Sequence, residues 1–294
     1  MLTFFTTAKP FQGHDGVIQR NALQSWKRLH PDVEVILFGD DSGAAEVCAD
    51  YGLRHEPFVE RHDSHPKYYL DYMFARAQAI ARHPYICYSN CDIIFMSDFW
   101  TAYKEVKQWR KAFLAVGRRW DTEVTQPLDF ANTNWSSDLR KLAINTGLHQ
   151  NHFWIDFFLF PRGLYQDMPK MIVGHCYWDH WMVWKALSLK TPVVDFSDVT
   201  IPVHQNHGYA DGRIKGSTSH PLSVRNMQVI GNESHQRSIR YATHRMRPDG
   251  SMRYNFRRLG PPLPKPLRKA VRFVIDSVLL PGRRFISSVI GAAR

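Results

Sequence analysis

Short apolar runs alternate with amphipathic segments through the first two thirds of the chain. That pattern predicts βαβ units and an α/β, Rossmann-like body with a mostly parallel sheet. Leu2–Thr6 is apolar enough for a strand buried on both faces. Ile18, Ala22, Trp26 and Leu29 form one stripe, which predicts a helix over Asn21–Leu29. It stops at His30-Pro31, because the residue before proline is pushed out of the helical region. Val33–Phe38 reads as the second strand, Ala44–Tyr51 as a short helix closed by Gly52, and Arg54–Phe58 as a third strand. A helix over Tyr68–His83 ends at Pro84, and the strands Tyr85–Tyr88 and Ile93–Met96 follow on either side of Ser89-Asn90-Cys91-Asp92. Asp98–Gln108 reads as a helix capped by Ser97 or Asp98, and Ala112–Val116 as a strand. Residues 121–143 lack a clear period and read as loop with a helical turn. Phe157–Phe160, a helix over Tyr177–Leu189 and Val193–Phe196 complete the body.

This pattern assigns residues 1–210 to the α/β body. Residues 211–260 form a polar, basic segment packed on or near its site, and 261–294 form a Pro-rich linker with amphipathic helices. In the last segment Pro261–Pro266 is stiff and extended, and Leu267–Leu280 places Arg268, Lys269, Arg272 and Asp276 opposite Leu267, Val271, Val274, Ile275 and Val278. The 294 residues carry a formal charge of +11, but 236–294 alone hold fourteen Lys/Arg against Asp249 and Asp276. The body is thus near neutral, and the basicity belongs to the tail. A basic sector facing an apolar one suits an interfacial helix on an anionic membrane surface, a core-packed or oligomer-forming helix being the alternative. A nucleic-acid binder would need more aromatic interleaving and a recognisable module. No apolar run approaches the ~18–20 residues of a membrane span. The opening MLTFFTTAKPF lacks the basic and long apolar regions of a secretory signal, and the four cysteines form no CxxC pair. A reduced, cytoplasmic chain, peripheral on the inner face of the membrane, is therefore expected.

Chemistry is expected first at Ser89-Asn90-Cys91-Asp92. A strand that ends in a short acidic motif delivers a carboxylate to the carboxyl edge of a parallel sheet, where open α/β sheets bind ligands. Asp92 there suits Mg²⁺ or Mn²⁺ holding a diphosphate, although spacing alone favours an Asp that caps the turn between two strands. Arg118 and Arg119 close a strand, either as a phosphate clamp or as solubilising arginines. Spacing alone says nothing of His204 and His207, since H-x-x-H recurs at His62/His65 and His149/His152.

Taken in order, FFTTAKPF (4–11), NALQSW (21–26), VILFGDD (35–41), YSNCDIIF (88–95), VGRRWD (116–121), DFFLFPRGLY (156–165), WDHW (178–181) and VHQNHGY (203–209) are spread over about two thirds of the chain. In this ordered set the chain resembles the nucleotide-sugar-dependent glycosyltransferases of the GT-A fold, in particular small bacterial family-2-like members. The resemblance implies a GT-A catalytic domain over 1–210 and a nucleoside-diphosphate sugar as donor. Asn90-Cys91-Asp92 stands at the place of the family's Asp-x-Asp motif, with Asn90 replacing the first acid and Asp92 matching the retained one. Thr6, Thr7, Lys9 and Asp40 match positions that hold the nucleotide, and Arg118 and Asp156 are expected at the donor. Asp179 matches the place of the catalytic base of inverting members. His204 or His207 matches a residue that completes the metal shell, the metal being Mn²⁺ or Mg²⁺. Trp178 and Trp181 read as core at helical spacing.

The implied partners are the donor, a glycan or lipid-linked acceptor and an anionic membrane surface, with no nucleic acid. Two other readings stand beside this one. A sugar-phosphate nucleotidyltransferase normally opens with a Gly-rich loop after its first strand, and Thr6–Gln12 contains no glycine. A basic membrane or nucleic-acid adaptor would carry a catalytically inert body.

Overall fold

Leu2–Thr7 (β1) is buried along nearly its whole length, so its side chains alternate between two hydrophobic faces. Leu2 and Phe4 face one side, where Phe4 stacks on Trp26 and meets Phe95 and Phe99. Phe5 faces the other side, edge-on to Phe74 and Tyr88. One strand thus anchors helices above and below the sheet.

In the computed structural model, which describes residues 1–63, 65–208 and 217–259, the elements follow in this order. After β1 come α1 (Gly13–Lys27), β2 (Glu34–Phe38), α2 (Ala44–Tyr51), β3 (Arg54–Glu56), β4 (Arg61–His62) and β5 (His65–Tyr68). The middle of the chain supplies α3 (Leu70–Ile80), β6 (Tyr85–Ser89), β7 (Ile93–Ile94), α4 (Ser97–Trp109), β8 (Leu114–Val116), β9 (Trp120–Thr122) and α5 (Trp135–Thr146). The last part supplies β10 (Leu148–His149), β11 (Phe157–Pro161), α6 (Trp178–Ser188), β12 (Val193–Asp195), β13 (Val203–Gln205), α7 (Pro221–Ile230), β14 (His244–Met246) and β15 (Met252–Tyr254).

The main sheet has nine strands in the order β15-β14-β12-β8-β11-β6-β1-β2-β3. Its pairings are parallel except where β11 runs against β6 and β8, and β15 against β14. The carboxyl ends of β1, β2, β6, β8 and β12 therefore share one edge, to which the start of β11 also belongs. A second sheet, β10-β9-β13-β7, lies beside that edge and carries residues from both sides of the main sheet's midline. The architecture is the mixed α/β one that the alternating pattern predicts.

Several boundaries differ from the sequence expectation. Helix α1 begins at Gly13, because its polar first turn hides it from an apolar stripe that starts at Ile18. Tyr68 lies in β5 rather than in a helix, which begins at Leu70 and ends at Ile80. Over 121–143 the expected loop gives way to β9 and the start of α5, whose only buried side chains are Leu139 and Ala143. Met96 rather than Ser97 or Asp98 stands at the N-cap of α4; the Asp98 carboxylate, inside the first turn, accepts the Phe99 and Ile201 N–H groups and pairs with Arg140. One compact unit runs from Met1 to Asn255, so α7, β14 and β15 of the polar segment fold within it, β14 beside β12 in the main sheet. The second unit begins at Phe256, where Phe256–Leu259 form a 3₁₀ turn. The expected linker and amphipathic helices at 261–294 lie outside the described residues. Among the described residues no helix is long and apolar enough to cross a membrane.

Candidate active site

Pairing brings the two ends of the site together. Strand β13 runs antiparallel to β7 with His204 opposite Ile93, one residue past Asp92. The Gln205 backbone N–H donates to the Asp92 carbonyl at 3.2 Å, and Gln205 Nε2 donates to the same oxygen at 3.1 Å and to the Ile18 carbonyl at 2.7 Å. Asn21 of α1 donates to Gln205 Oε1 at 2.9 Å. This buried amide lock holds the HQNH segment against the Asn90-Cys91-Asp92 turn, although the two lie more than 100 residues apart.

The result is a tight group of one carboxylate and two imidazoles. His207 Nε2 lies 3.1 Å and His204 Nε2 3.6 Å from Asp92 Oδ2. One ligand atom from each residue fits within 4.8 Å of the other two. The far ring nitrogens face protein oxygens. His207 Nδ1 lies 2.9 Å from the Gly208 carbonyl, and His204 Nδ1 lies 3.1 Å from Asp121 Oδ1. Both rings thereby turn Nε2 toward Asp92, the orientation that leaves Nε2 available as a ligand. Asp92 Oδ1 is buried and has no hydrogen-bond partner among the described residues. A buried orphan oxygen costs free energy unless something satisfies it. A carboxylate with one orphan oxygen, and its other oxygen facing two imidazoles, fits a divalent cation such as Mn²⁺.

Electrostatics agree with the geometry. Burial opposes ionisation of Asp92, but His204, His207 and Arg119 outweigh it and hold the carboxyl well below its usual range. The hydrogen bond to Asp92 pushes His207 upward, against burial. Metal ligands must be deprotonated, so a cation arriving there would compete with a proton for the imidazole.

The remaining residues expected at the site fall into two groups. Thr6 is buried beside Cys91, its Oγ1 donating to the Thr7 carbonyl. The Thr7 hydroxyl is buried without a hydrogen-bond partner among the described residues. Lys9 pairs with Asp15 at 2.8 Å and lies close enough to His207 to oppose its protonation. These three line the edge at which Asp92 sits. Asn90 Nδ2 donates to Asp156 Oδ1 at 2.8 Å, and Asn90 Oδ1 accepts from the Tyr88 hydroxyl at 3.1 Å. The amide is thus committed to protein partners. Asp40 is exposed at the end of β2, where Arg61 and Tyr68 engage it and Arg61 lowers its acidity range. Arg118 lies near His149 and Asp195, and its backbone N–H donates to Ser197 Oγ.

Asp179 occupies the first turn of α6, with Oδ1 accepting the His180 N–H at 2.9 Å. Its helix follows Tyr177, a non-glycine residue at φ 88°, a strained conformation of the kind that collects at functional sites. Burial raises the Asp179 pKa and nearby Asp156 adds to the rise, while His180 opposes it. Trp178 and Trp181 are buried; Trp178 packs edge-on against Tyr88 and beside Phe158. Sequence reasoning assigned no role to Asp121 and Gln205 and left Arg119 undecided between a phosphate clamp and a solubilising arginine. The alternation Arg119-Trp120-Asp121 is a signal that was present, since residues two apart in a strand share a face.

No protein-family model and no curated protein matches the sequence. Among solved structures, S. aureus TarS 1-349 in complex with UDP-GlcNAc superimposes with a TM-score of 0.52 at 12% identity, over 78% of this chain and 65% of that one. This chain therefore spans just under two thirds of that TarS fragment. Glucosyl-3-phosphoglycerate synthase from Mycobacterium tuberculosis, in complex with Mg²⁺ and UDP, gives a TM-score of 0.46 at 10% identity over 78% of each chain. The fold assignment rests on the likeness to TarS together with the sheet order described above. The chain accordingly takes the GT-A fold, the fold of nucleotide-sugar-dependent glycosyltransferases.

Proposed function

We propose that the protein is a glycosyltransferase that moves a sugar from a nucleoside-diphosphate donor to a glycan or lipid-linked acceptor, with inversion. The observation that carries this reading is the convergence of Asp92, His204 and His207 at the carboxyl edge of a GT-A sheet. A divalent cation held by these three residues would offset the charge that develops on the departing diphosphate. Thr6, Thr7 and Lys9, on the β1 edge, offer hydroxyls and a cation to the donor. Asp156, fixed by Asn90 and Arg119, offers a carboxylate oxygen to sugar hydroxyls.

Asp179 takes the proton. As the acceptor oxygen bonds to the anomeric carbon, the bond from that carbon to the diphosphate oxygen breaks and its electron pair leaves with the diphosphate. The acceptor's hydroxyl proton passes to the Asp179 carboxylate. A base works best when its pKa lies near the working pH, and burial moves Asp179 in that direction. Its hydrogen bond from the His180 N–H orients the carboxylate at the helix start.

A thermal-shift screen of nucleotide sugars with and without Mn²⁺ tests the reading. One donor is expected to raise the melting temperature by several degrees only when Mn²⁺ is present, because a ligand that binds only the folded state stabilises it by mass action. No shift with any donor, in the presence of Mn²⁺ or Mg²⁺, overturns it.

The basic tail supports a place at the membrane surface, where lipid-linked acceptors reside. Each Lys or Arg near an anionic leaflet contributes about 1 kcal/mol. Removal of residues 261–294 is expected to abolish co-sedimentation with phosphatidylserine vesicles. Binding that persists in the shortened chain would refute the anchor.

A further inference from the structure

Arg119 is 4% exposed, yet it carries a full charge. It immediately precedes β9, on the same side of the chain as Asp121, while Trp120 turns the other way and stacks on His149. Its Nε lies 2.8 Å from Asp121 Oδ1, its Nη1 lies 2.7 Å from Asp156 Oδ1, and its guanidinium covers the Trp154 ring at 4.7 Å. Asp121 Oδ2 accepts from Gln150 Nε2 at 2.7 Å. Parallel pairing of β9 with β13 sets Asp121 directly opposite His204, which is why its carboxylate reaches the His204 ring. Charged groups in close contact therefore run from Asp92 through His204, Asp121 and Arg119 to Asp156, where hydrogen bonds from Arg119 and Asn90 take over; the His204–Asp121 and Asp121–Arg119 links are ion-pair contacts at 3.1 and 2.8 Å rather than aligned hydrogen bonds.

Each link has a distinct physical task. A carboxylate behind an imidazole fixes which ring nitrogen carries the proton and how the ring is turned. A buried arginine between two buried carboxylates pairs with both, and its planar fork addresses both from fixed directions. A lysine supplies the charge as a single point and cannot span the two.

We propose that Asp121 and Arg119 are positioning residues: Asp121 holds His204 with Nε2 toward Asp92, and Arg119 ties that imidazole to Asp156. The cation site and the carboxylate expected at the donor sugar are then oriented by one guanidinium. This inference rests on the reading of Asp92, His204 and His207 as a cation site.

The test uses the full chain and Mn²⁺ alone, with free Mn²⁺ followed by electron paramagnetic resonance. Asp121→Asn is expected to weaken Mn²⁺ binding 10–100-fold, the usual effect of losing such a supporting carboxylate. Arg119→Lys is expected to weaken it about tenfold or more, by loosening Asp121. Nitrogen-15 NMR of the histidine rings supplies a readout that a purely structural role would not move. His204 of the parent protein should carry its proton on Nδ1, and the Asp121→Asn variant should populate the other tautomer. Circular dichroism confirms that each variant is folded. Should Asp121→Asn not fold, Arg119→Lys and the parent spectrum still decide. Folded variants that bind Mn²⁺ within twofold of the parent overturn the relay alone. So does a parent His204 protonated only on Nε2. A parent chain that binds no Mn²⁺ overturns the cation reading beneath it.

Discussion

Replacing Asp179 by Asn is expected to lower kcat about 10²–10⁴-fold, the range for loss of a positioned general base. The amide retains Oδ1 for the His180 N–H, so α6 should start as before. What disappears is the capacity to take a proton. Donor binding in the thermal-shift assay should survive, which separates a lost base from a lost binding site. The burial that raises the Asp179 pKa sets two further results. Because the base must be ionised, activity of the parent should fall as pH drops through a value above the usual carboxylate pKa of about 3.9, and this limb should vanish in the variant. Because the raised pKa means that the folded state disfavours the charge, ionised Asp179 costs stability above that pKa and costs nothing below it. At neutral pH the Asn variant should therefore melt no lower than the parent. Unchanged kcat in a folded Asp179→Asn enzyme would remove the base assignment and leave a retaining mechanism.

Replacing Asp92 by Ala is expected to have the other large effect, a loss of roughly 10³-fold in turnover together with loss of measurable Mn²⁺ binding. Asp92 is the single carboxylate of the group and the oxygen that both imidazoles face. Without it, His207 loses the partner that raises its pKa and should return toward an ordinary imidazole. The backbone contacts that Gln205 makes to the residue 92 carbonyl survive the substitution, so the local fold should hold. Mn²⁺ titration and initial rates on the folded variant check this. A variant with full activity and full Mn²⁺ affinity would show that the cation, if one is used, sits elsewhere. It would also favour the inert-body readings left open by the sequence.

The Asn90 position shows how structure changes a motif. As sequence, Asn90-Cys91-Asp92 reads as an Asp-x-Asp motif with its first acid replaced. In the fold, both polar atoms of the Asn90 amide are engaged, by Asp156 and by Tyr88. Asn90 thus belongs to the Arg119–Asp156 side of the site rather than to the Asp92 side. A carboxylate at position 90 would face Asp156 at hydrogen-bond distance, where like charges repel.

What could be read from the sequence followed from local forces. Strands β1, β2 and β6 announce themselves because a strand covered on both faces must be apolar throughout. Asp92 stands out because it follows such a strand immediately. Helix α5 stays hidden because only Leu139 and Ala143 of its twelve residues are buried, too few to set a period. Strands β14 and β15 stay hidden because they are three residues each and mostly polar, held by backbone pairing rather than by apolar side chains.

By itself, then, the sequence determined the α/β class, the burial of the first strands and the residue types available for chemistry, since each depends on side chains close along the chain. Only the tertiary structure decided which of those residues lie together. It brings both His204 and His207 to Asp92 where spacing favoured neither, pairs Asp40 with Arg61, and turns Arg119 inward between Asp121 and Asp156. The reason is that pairings such as β13 with β7 and β9 join segments 80 or more residues apart, and such registers are set by the packing of the whole sheet rather than by either segment alone.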